Sequence, residues 1–424
     1  MPSSPARRCH VSAAARRPAG LFVHGMGRGL AEPDWTPLTG GEVTGILDRY
    51  DGPRAGRRPA GADIAWRSPR PMSAAALVRR SGRKLFVKRH GKRVRNAGQL
   101  MAEHAFAGHL RGQGLPVPAV LRAADGSAAL TLDGWVYEVH EVAAGVDLYR
   151  DAVSWSPFAS LGHARAAGAA LARLHRAAAG FGWPARPWGV LVNSCHVITA
   201  ADPLAEVERL LGRWPALAGY LGKRPWRDDL TRYHLPAIAR AAPLLARLPR
   251  QWGHGDWHPS NLTWTSAAAD AGVAGIFDFG LANRTFAVHD LAVALERSTV
   301  GWLDLAESGR AGADLAAVDA LLDGYETARP LGGLEAAALA EVLPVAHLEY
   351  ALSEIEYFAG VVHSPANADL AYGYLVDHAR WFTGPDGLAL LGHLRRRARR
   401  AAGAAQPARP AAGAAQPARP AAAS

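Results

Sequence analysis

A stretch near the middle of the chain, residues 252–280, constrains the fold more strongly than any other part of the sequence. It begins Trp-Gly-His-Gly-Asp-Trp-His-Pro-Ser-Asn-Leu-Thr-Trp-Thr, continues through a run of small residues and ends Ile-Phe-Asp-Phe-Gly. Apolar runs at 262–265 and 273–277 have the length of short strands, and the small residues between them supply a turn. The sequence therefore predicts a loop followed by a hairpin, with Asp278 at the far end of the second strand.

Three polar side chains of this stretch, Asp256, Asn261 and Asp278, are the candidate functional groups. An amide carbonyl and a carboxylate that converge on one point form a site of hard oxygen ligands, which suits magnesium bound to phosphate. Asn261 and Asp278 are therefore candidate metal ligands. Asp256 is a candidate to accept the proton of an attacking hydroxyl group.

Simpler roles are also open for these residues. Asp256 could cap a turn, which is a common role for an aspartate in a loop. His254 and His258 are four apart and could bind zinc from one helix, but Gly255 and Pro259 disfavour a helix there. The combined spacing of the motif favours the catalytic interpretation over either alternative.

The stretch resembles the catalytic core of the aminoglycoside phosphotransferase and choline kinase family, which is related to the protein kinases. That family carries His-Gly-Asp-x-His-x-x-Asn followed by a metal-binding Asp, and the same order runs here from His254 to Asp278. The resemblance implies that Asp256 is the catalytic base and that Asn261 and Asp278 hold Mg²⁺. It also implies that His254 and Asp290 support the catalytic loop, although Asp290 could equally be a plain helix N-cap.

The first third of the chain predicts an antiparallel meander followed by a helix. Strand-like segments separated by polar turns lie at 64–67, 74–80 and 84–88, and the helix is expected at about 97–110. The resemblance implies that Lys88 is the strand lysine that contacts the phosphates of ATP. It implies that Glu103, on the helix, is the ion-pair partner that fixes Lys88.

The segment expected to cover the phosphates departs from the protein kinases, which use Gly-x-Gly-x-x-Gly there. This chain has Ser68, Arg70 and Ser73 between prolines, and no glycine. Backbone amides or Arg70 are the remaining candidates for phosphate contact. By its position, the segment 141–145 is expected to be the hinge whose backbone meets adenine.

Charge is distributed unevenly along the chain. The formal net charge is +11, but residues 1–28 and 395–424 carry twelve arginines and no acid between them. Residues 64–102 hold eleven basic residues and no acid, whereas residues 103–394 have a balance of −10. A basic first lobe suits a polyanionic nucleotide, and an acidic second lobe suits a cationic partner.

Composition narrows the class of protein. Apolar residues make up 49% of the chain, which is enough for a large core, and no apolar run is long enough to span a membrane. Cys9 and Cys195 form no disulfide framework, which fits a reducing compartment, and we expect a cytoplasmic protein. Basic residues interleaved with aromatic ones, which would indicate nucleic-acid binding, are not found.

The chain is expected to divide into two lobes flanked by tails. Helices are predicted at about 161–178, 204–214, 235–248, 291–307, 314–327, 334–359 and 367–383. The predicted divisions are a disordered basic tail at 1–30, a nucleotide-binding lobe at 31–140, a catalytic and acceptor-binding lobe at 141–394, and a disordered low-complexity tail at 395–424. Strands first and helices later favour an α+β, bilobal fold of the protein kinase type.

These features predict an enzyme that uses ATP and Mg²⁺ to phosphorylate a hydroxyl group of a small molecule, such as an aminoglycoside, amino sugar or amino alcohol. A protein kinase and a catalytically inactive nucleotide-binding pseudokinase remain as alternatives. The acceptor is expected to be cationic, because Glu349 and Glu356 share one face of a predicted helix with Tyr350 and Tyr357 alongside. The alternative is that these acids are solvated and that the tyrosines belong to the core.

Overall fold

The computed structural model of the protein describes residues 34–51 and 61–404, so the predicted tail at 1–30 lies outside the described residues. The strands are β1 (Asp63–Arg67), β2 (Ala74–Arg80), β3 (Arg83–Gly91), β4 (Leu130–Leu132), β5 (Trp135–Glu141), β6 (Gln251–Gly253), β7 (Leu262–Trp264), β8 (Val273–Ile276) and β9 (Asn283–Thr285). The helices are α1 (Gly40–Asp51), α2 (Ala97–Gly112), α3 (Leu161–Ala178), α4 (Pro203–Leu211), α5 (Pro215–Leu221), α6 (Trp226–Asp229), α7 (Leu235–Leu245), α8 (Ala287–Thr299), α9 (Trp302–Ser308), α10 (Leu315–Ala328), α11 (Gly333–Val342), α12 (Leu348–Glu356), α13 (Pro365–Trp381) and α14 (Pro385–Ala404).

The first lobe is built on an antiparallel sheet in the order β1-β2-β3-β5-β4. The predicted meander forms because β2 and β3 alternate in burial and Ser81 and Gly82 make the positive-φ turn between them. Lys88 of β3 lies opposite Glu138 of β5, so the two side chains share one face of the sheet. This register brings a basic and an acidic group to the wall of the cleft between the lobes.

Two short ladders carry the catalytic stretch. β7 and β8 form the predicted hairpin, with Leu262 opposite Ile276, and β6 pairs with β9. The backbone N–H of Phe277 donates to the carbonyl of Asn261 over 3.2 Å. The hairpin therefore places Asn261 beside Asp278, although the two residues are far apart along the chain.

The second lobe is helical, and its centre is a close crossing of α3 and α10. A Cβ built on Gly168 of α3 would lie 1.9 Å from the carbonyl oxygen of Leu321, and one on Gly324 of α10 would lie 1.9 Å from that of Arg165. Only glycine fits at both positions, because a Cβ atom does not approach a carbonyl oxygen so closely. The crossing brings α3 next to α8 and the catalytic loop.

Two hydrophobic clusters are present among the described residues. The smaller packs α1 against the outer face of the sheet and includes Ile46, Val78 and Val139. The larger fills the helical lobe and extends to α2 through Phe106 and Leu110. The helix α2 is therefore anchored in the second lobe's core. None of the helices in the described ranges is long and apolar enough to cross a membrane.

Several predicted boundaries differ from the structure. The helix predicted at 291–307 is two helices, α8 and α9, and the one predicted at 334–359 is split into α11 and α12. Helix α14 continues to Ala404, so residues 395–404 are ordered where a disordered tail was predicted. Two arginines explain this order: Arg395 pairs with Glu341 of α11, and Arg397 pairs with carboxylates of α10. Residues 405–424 lie outside the described part of the chain.

Candidate active site

The cleft between the sheet and the catalytic hairpin contains two adjoining cavities. The first, here called the nucleotide cavity, is bounded by the sheet, α2, the segment 141–145 and β7. The second, here called the acceptor cavity, lies beside the catalytic loop and α12. Lys88, Asn261 and Asp278 line both cavities, whereas Asp256 lines the acceptor cavity. Lys88, Asn261, Asp278 and Asp256 therefore converge where the two cavities meet.

Asp278 and Lys88 form an ion pair at this junction, with Nζ 2.9 Å from Oδ1. Burial would raise the pKa of Asp278, but the charge and hydrogen bond of Lys88 outweigh it and lower the pKa to about 2. Asp278 has a φ of 62°, a left-handed conformation that aspartate tolerates better than most residues. The carboxylate is therefore ionised and held at a fixed position in the cleft.

The predicted ion pair between Lys88 and Glu103 is not among the contacts of the described residues. Glu103 Oε2 instead lies 4.0 Å from Arg95 Nε and 3.9 Å from Arg186 Nη2. The two arginines draw Glu103 away from Lys88, which takes Asp278 as its partner. Glu103 still lines the nucleotide cavity.

Arg95 and Arg186 were not singled out from the sequence, yet they fix the segment that follows Asp278. Each donates a hydrogen bond of 2.8 Å to the carbonyl oxygen of Gly280. Arg95 also donates to the carbonyl of Val190, and Arg186 to that of Ala282. Arginines in basic or loop-rich segments carry no signal of such contacts, because the acceptors are backbone atoms brought together by the fold.

Asp256 is held by two side chains. Asn261 Nδ2 donates to the Asp256 carbonyl oxygen over 2.8 Å and to Oδ2 over 3.1 Å. Arg297 Nη1 donates to Oδ1 in a close ion pair. The side-chain nitrogen of Asn261 is thus used in hydrogen bonds, and its side-chain oxygen, Oδ1, is the atom left to serve as a metal ligand. The carboxylate of Asp256 is fixed towards the acceptor cavity.

Arg297 is the main contact of Asp256 that the sequence did not reveal. It is buried on α8, with Cζ 5.0 Å from the centre of the Trp155 ring and 4.7 Å from that of Tyr350. It lies seven residues after Asp290, and such spacing puts both on one helix face. That spacing was the available signal, since Asp290 was already expected to reach the catalytic loop.

Asp290 contacts the backbone of the loop that carries Asp256. Its carboxylate accepts hydrogen bonds from the backbone N–H of His254 over 2.7 Å and of Gly255 over 2.8 Å. It also contacts His175 Nε2 at 3.0 Å, and the other nitrogen of His175 contacts the hydroxyl of Tyr325. Burial would raise the pKa of Asp290, but His175 and these donors outweigh it and lower the pKa. Asp290 lies within the first turn of α8 and is not its N-cap, which is Phe286.

The catalytic loop is shaped by its first residues. His254 is buried, and its Nε2 lies 3.0 Å from the carbonyl oxygen of Phe277, which ties the loop to the hairpin strand. Burial lowers the pKa of His254, so the ring is neutral. Gly255 has a φ of 77°, and a Cβ there would lie 2.7 Å from the carbonyl oxygen of Leu281. His254 therefore holds the loop against the hairpin strand. Glycine is necessary at position 255, because a side chain there would clash with the carbonyl oxygen of Leu281.

The segment 141–145 is tied to the catalytic hairpin. The backbone of Val146 pairs with that of Trp264, and Thr263 Oγ1 donates to the carbonyl of Ala144 over 2.5 Å. Gly145 has a φ of 86°, and a Cβ there would lie 2.4 Å from the carbonyl oxygen of Trp264. Residues 141–143 and 145 line the nucleotide cavity, at the place predicted for the hinge.

The segment that replaces the glycine-rich loop also reaches the cleft. Ser68, Arg70 and Ser73 line the nucleotide cavity, and Arg70 and Ser73 line the acceptor cavity as well. Arg70 Nη1 donates to the carbonyl of Ala152 over 2.6 Å, which links the sheet to the second lobe.

The acidic residues predicted to attract a cation are placed differently from the expectation. Glu349 is buried and accepts hydrogen bonds from the backbone of residues 196–198, and Glu356 accepts one from Leu217. Glu349 therefore holds a loop, Glu356 holds the start of α5, and neither lines the acceptor cavity. Glu354 and Tyr350 line it instead, because α12 turns the face that carries them towards Asp256.

Comparison with known proteins places this geometry among related folds. Residues 73–350 match the model of the phosphotransferase enzyme family. A homoserine kinase from Gluconacetobacter diazotrophicus is 30% identical over 270 residues, covering 62% of this chain and 70% of that protein. Among solved structures, an amicoumacin kinase in complex with AMP-PNP, Ca²⁺ and Ami is 13% identical with a TM-score of 0.53, covering 81% of this chain and 92% of that one. A microcompartment-associated aminopropanol kinase is 18% identical with a TM-score of 0.50, covering 82% and 98%. The predicted α+β fold, bilobal and protein kinase-like, is confirmed.

Proposed function

The chain belongs to the phosphotransferase enzyme family, and we propose that it transfers the γ-phosphate of ATP to a hydroxyl group of a small molecule. The observation that carries the proposal is the meeting of Lys88, Asp278, Asn261 and Asp256 where the nucleotide and acceptor cavities join. Phosphoryl transfer needs groups that position the phosphates and orient the acceptor rather than covalent chemistry by the protein. This junction has groups of both kinds.

The lining of the nucleotide cavity suits ATP in its chemistry. Leu77, Phe86 and Phe277 would give apolar surface to a base, and the segment 141–145 would meet its edge. Lys88 lies where this cavity joins the acceptor cavity, and there it would contact the phosphates. Asp278 and the carbonyl oxygen of Asn261 provide oxygen ligands that suit Mg²⁺. The bound ion would neutralise charge on the phosphates.

Asp256 would orient the acceptor hydroxyl and accept its proton. Its two oxygen atoms are fixed from opposite sides, by Asn261 and by Arg297, so the carboxylate has one orientation towards the acceptor cavity. The guanidinium of Arg297 balances the charge of the Asp256 carboxylate, and an ionised carboxylate can accept a proton from the acceptor hydroxyl.

We further propose that the acceptor is a small alcohol with an ammonium group, held by Glu354. Glu354 is buried at the acceptor cavity, and its Oε2 has no hydrogen-bond partner among the described residues. Burial raises the pKa of Glu354 to about 8, although Tyr350 and Arg297 oppose the shift. With that pKa, Glu354 is mostly protonated at neutral pH while the cavity is empty, and an ammonium group beside Oε2 would stabilise its ionised form. The homoserine kinase is named for a compound with an amino group and a hydroxyl, which agrees with this proposal.

The test is ADP release with ATP, Mg²⁺ and matched acceptors, such as 1-amino-2-propanol against 1,2-propanediol. The amine is expected to have the lower KM, and Glu354→Gln should raise that KM about tenfold or more, as for a lost charged hydrogen bond, without changing nucleotide affinity. Glu208→Gln, at an exposed ion pair with Arg227, is the matched control. A neutral alcohol preferred by both proteins would refute the ammonium proposal and leave the kinase standing.

A further inference from the structure

We propose that the inner wall of the nucleotide cavity is a transition-metal site with His104, Glu138 and His140 as ligands. The class of ion is one that prefers imidazole nitrogen, such as Zn²⁺. Within residues 34–51 and 61–404 these three form the one grouping whose ligand atoms all lie within 4.8 Å of one another. The site is separate from Asn261 and Asp278, although all five residues line one cavity.

The fold converges the three side chains from two elements. Glu138 and His140 are two apart on β5, so they point to the same face of the sheet. His104 comes from α2, which packs behind that face. Nε2 of His104 lies 2.6 Å, and Nε2 of His140 3.0 Å, from the same oxygen, Oε2 of Glu138. The two imidazole rings are nearly perpendicular, with centres 5.9 Å apart, so they approach that oxygen from different directions.

A fourth residue orients the carboxylate. His90 of β3 lies opposite Val136 in the sheet, and its Nε2 is 2.8 Å from Oε1 of Glu138. His90 is buried, and it lines the acceptor cavity and not the nucleotide cavity. One oxygen of Glu138 is therefore fixed from behind, and the other is directed to the two cavity histidines. Metal-binding carboxylates commonly have such an outer hydrogen bond.

The ligand chemistry selects the ion. Two imidazoles and one carboxylate, with a fourth position open to a cavity, are the ligand set of many zinc sites. Mg²⁺ prefers oxygen ligands throughout, so it would favour Asn261 and Asp278 over this cluster. Nearby charge is balanced, because Lys88 lies opposite Glu138 in the sheet and Glu103 lies on α2 beside His104. Small movements of the side chains would exchange the present hydrogen bonds for bonds to a metal.

The experiment uses the full untagged chain, stripped with chelator and kept in excess Mg²⁺ so that the oxygen site does not compete. Zn²⁺ is titrated by calorimetry, and Co²⁺ is titrated by the visible absorption of its four-coordinate form. We expect one ion per chain with micromolar or tighter affinity. We also expect Zn²⁺ to raise the melting temperature of the wild-type chain, because it binds the folded state.

Variants locate the site. His104→Gln and His140→Gln should each weaken Zn²⁺ binding by tenfold or more, and His90→Gln should weaken it about tenfold, as outer-shell partners do. His109→Gln, on the same helix and hydrogen-bonded to Ala177, is the matched control and should bind as the wild type does. Asp278→Asn should also retain Zn²⁺ binding.

Two results would overturn the proposal. One is the absence of stoichiometric Zn²⁺ binding to the wild-type chain at micromolar concentration. The other is binding that is equal in wild type, His104→Gln and His140→Gln, provided that circular dichroism shows the variants folded. In either case the cluster is a hydrogen-bonded network that only shapes the nucleotide cavity.

Discussion

Replacement of Asp290 by asparagine should both destabilise the second lobe and impair transfer. The ionised carboxylate accepts from two backbone N–H groups and contacts His175, and it is completely buried. Asparagine keeps one acceptor oxygen, but its NH₂ group would take the place of the other oxygen and would face a backbone N–H, which is also a donor. One buried N–H then loses its partner, and His175 loses its charged partner. Disrupting a buried charged network of this kind costs about 3–5 kcal/mol.

The predicted loss is measurable as a change in melting temperature. A domain of this size loses about 2–4 °C per kcal/mol, so Asp290→Asn should melt about 6–20 °C below the wild type. Asp202→Asn is the matched control, because Asp202 also accepts from a backbone N–H, at the exposed N-cap of α4. Asparagine and aspartate are nearly equal as N-caps, so the control should hardly change.

The pH dependence of the stability difference between wild type and Asp290→Asn tests whether the ionised carboxylate is the cause. The pKa of Asp290 is lowered in the folded protein, so its stabilisation is present above the unfolded value of about 3.9 and is lost as pH falls through the folded value. The stability difference between wild type and Asp290→Asn should therefore be constant near neutral pH. It should shrink only in acid, as measured by denaturant unfolding.

The replacement should also slow catalysis by displacing Asp256, because Asp256 directly follows the two residues whose backbone Asp290 holds. A displacement of about 1 Å can cost on the order of 100-fold in rate, so kcat for ADP release should fall about that far while nucleotide affinity stays near wild type. The reasoning is refuted if Asp290→Asn has the same melting temperature as the Asp202→Asn control and releases ADP at the wild-type rate. In that case the contacts of Asp290 neither stabilise the fold nor position Asp256.

Three further outcomes are expected. Asp256→Asn should lower kcat by about 10²–10⁴-fold with little change in nucleotide affinity, as for loss of a general base; full turnover with a verified acceptor would exclude that role. Asp278→Ala and Asn261→Ala should weaken Mg²⁺-dependent nucleotide binding in calorimetric titration, and unchanged Mg²⁺ dependence would place the ligands elsewhere. A chain that ends at residue 394 should have a lower melting temperature than one that ends at 404, because it lacks Arg395 and Arg397. The ion pairs of these arginines with α10 and α11 contribute about 1–2 kcal/mol to stability. Equal melting temperatures would show that residues 395–404 do not stabilise the fold.

The parts of the fold that the sequence predicted are those with local signals. The meander was predicted because polar turns separate its strands, and α3 because its apolar spacing is strongly helical. The helical breaks at 300–301 and 343–347 were missed although Gly301 and Pro344 mark them, because the apolar pattern continues across both. The order of 395–404 was missed for a different reason. A run of arginines predicts solvation, and only the fold reveals the carboxylates of α10 and α11 that the run meets.

The site divides in the same way. A short motif fixed the positions of Asp256, Asn261 and Asp278, because their spacing is set by one loop and one hairpin. Lys88 was placed by strand alternation, but its partner was not, because ion pairing depends on distances between elements. The prediction that Glu349 and Glu356 face the acceptor was wrong, because α12 is rotated so that a different face meets the cavity. Sequence spacing shows which residues share a face, but it does not show which face meets the cavity.

The two central carboxylates are neutralised by cations of very different mobility. Asp278 is paired with Lys88, a lysine with a flexible stem. In the proposed reaction, phosphate oxygens would attract this lysine away, and the carboxylate would become available to a metal ion as the nucleotide arrives. Asp256 is paired with Arg297, which is enclosed between Trp155 and Tyr350 and cannot withdraw. Substrate binding would therefore rearrange the charges around Asp278 and leave those around Asp256 fixed. That asymmetry suits the proposed roles, because a metal ligand must exchange partners during the cycle, whereas a base must keep one orientation.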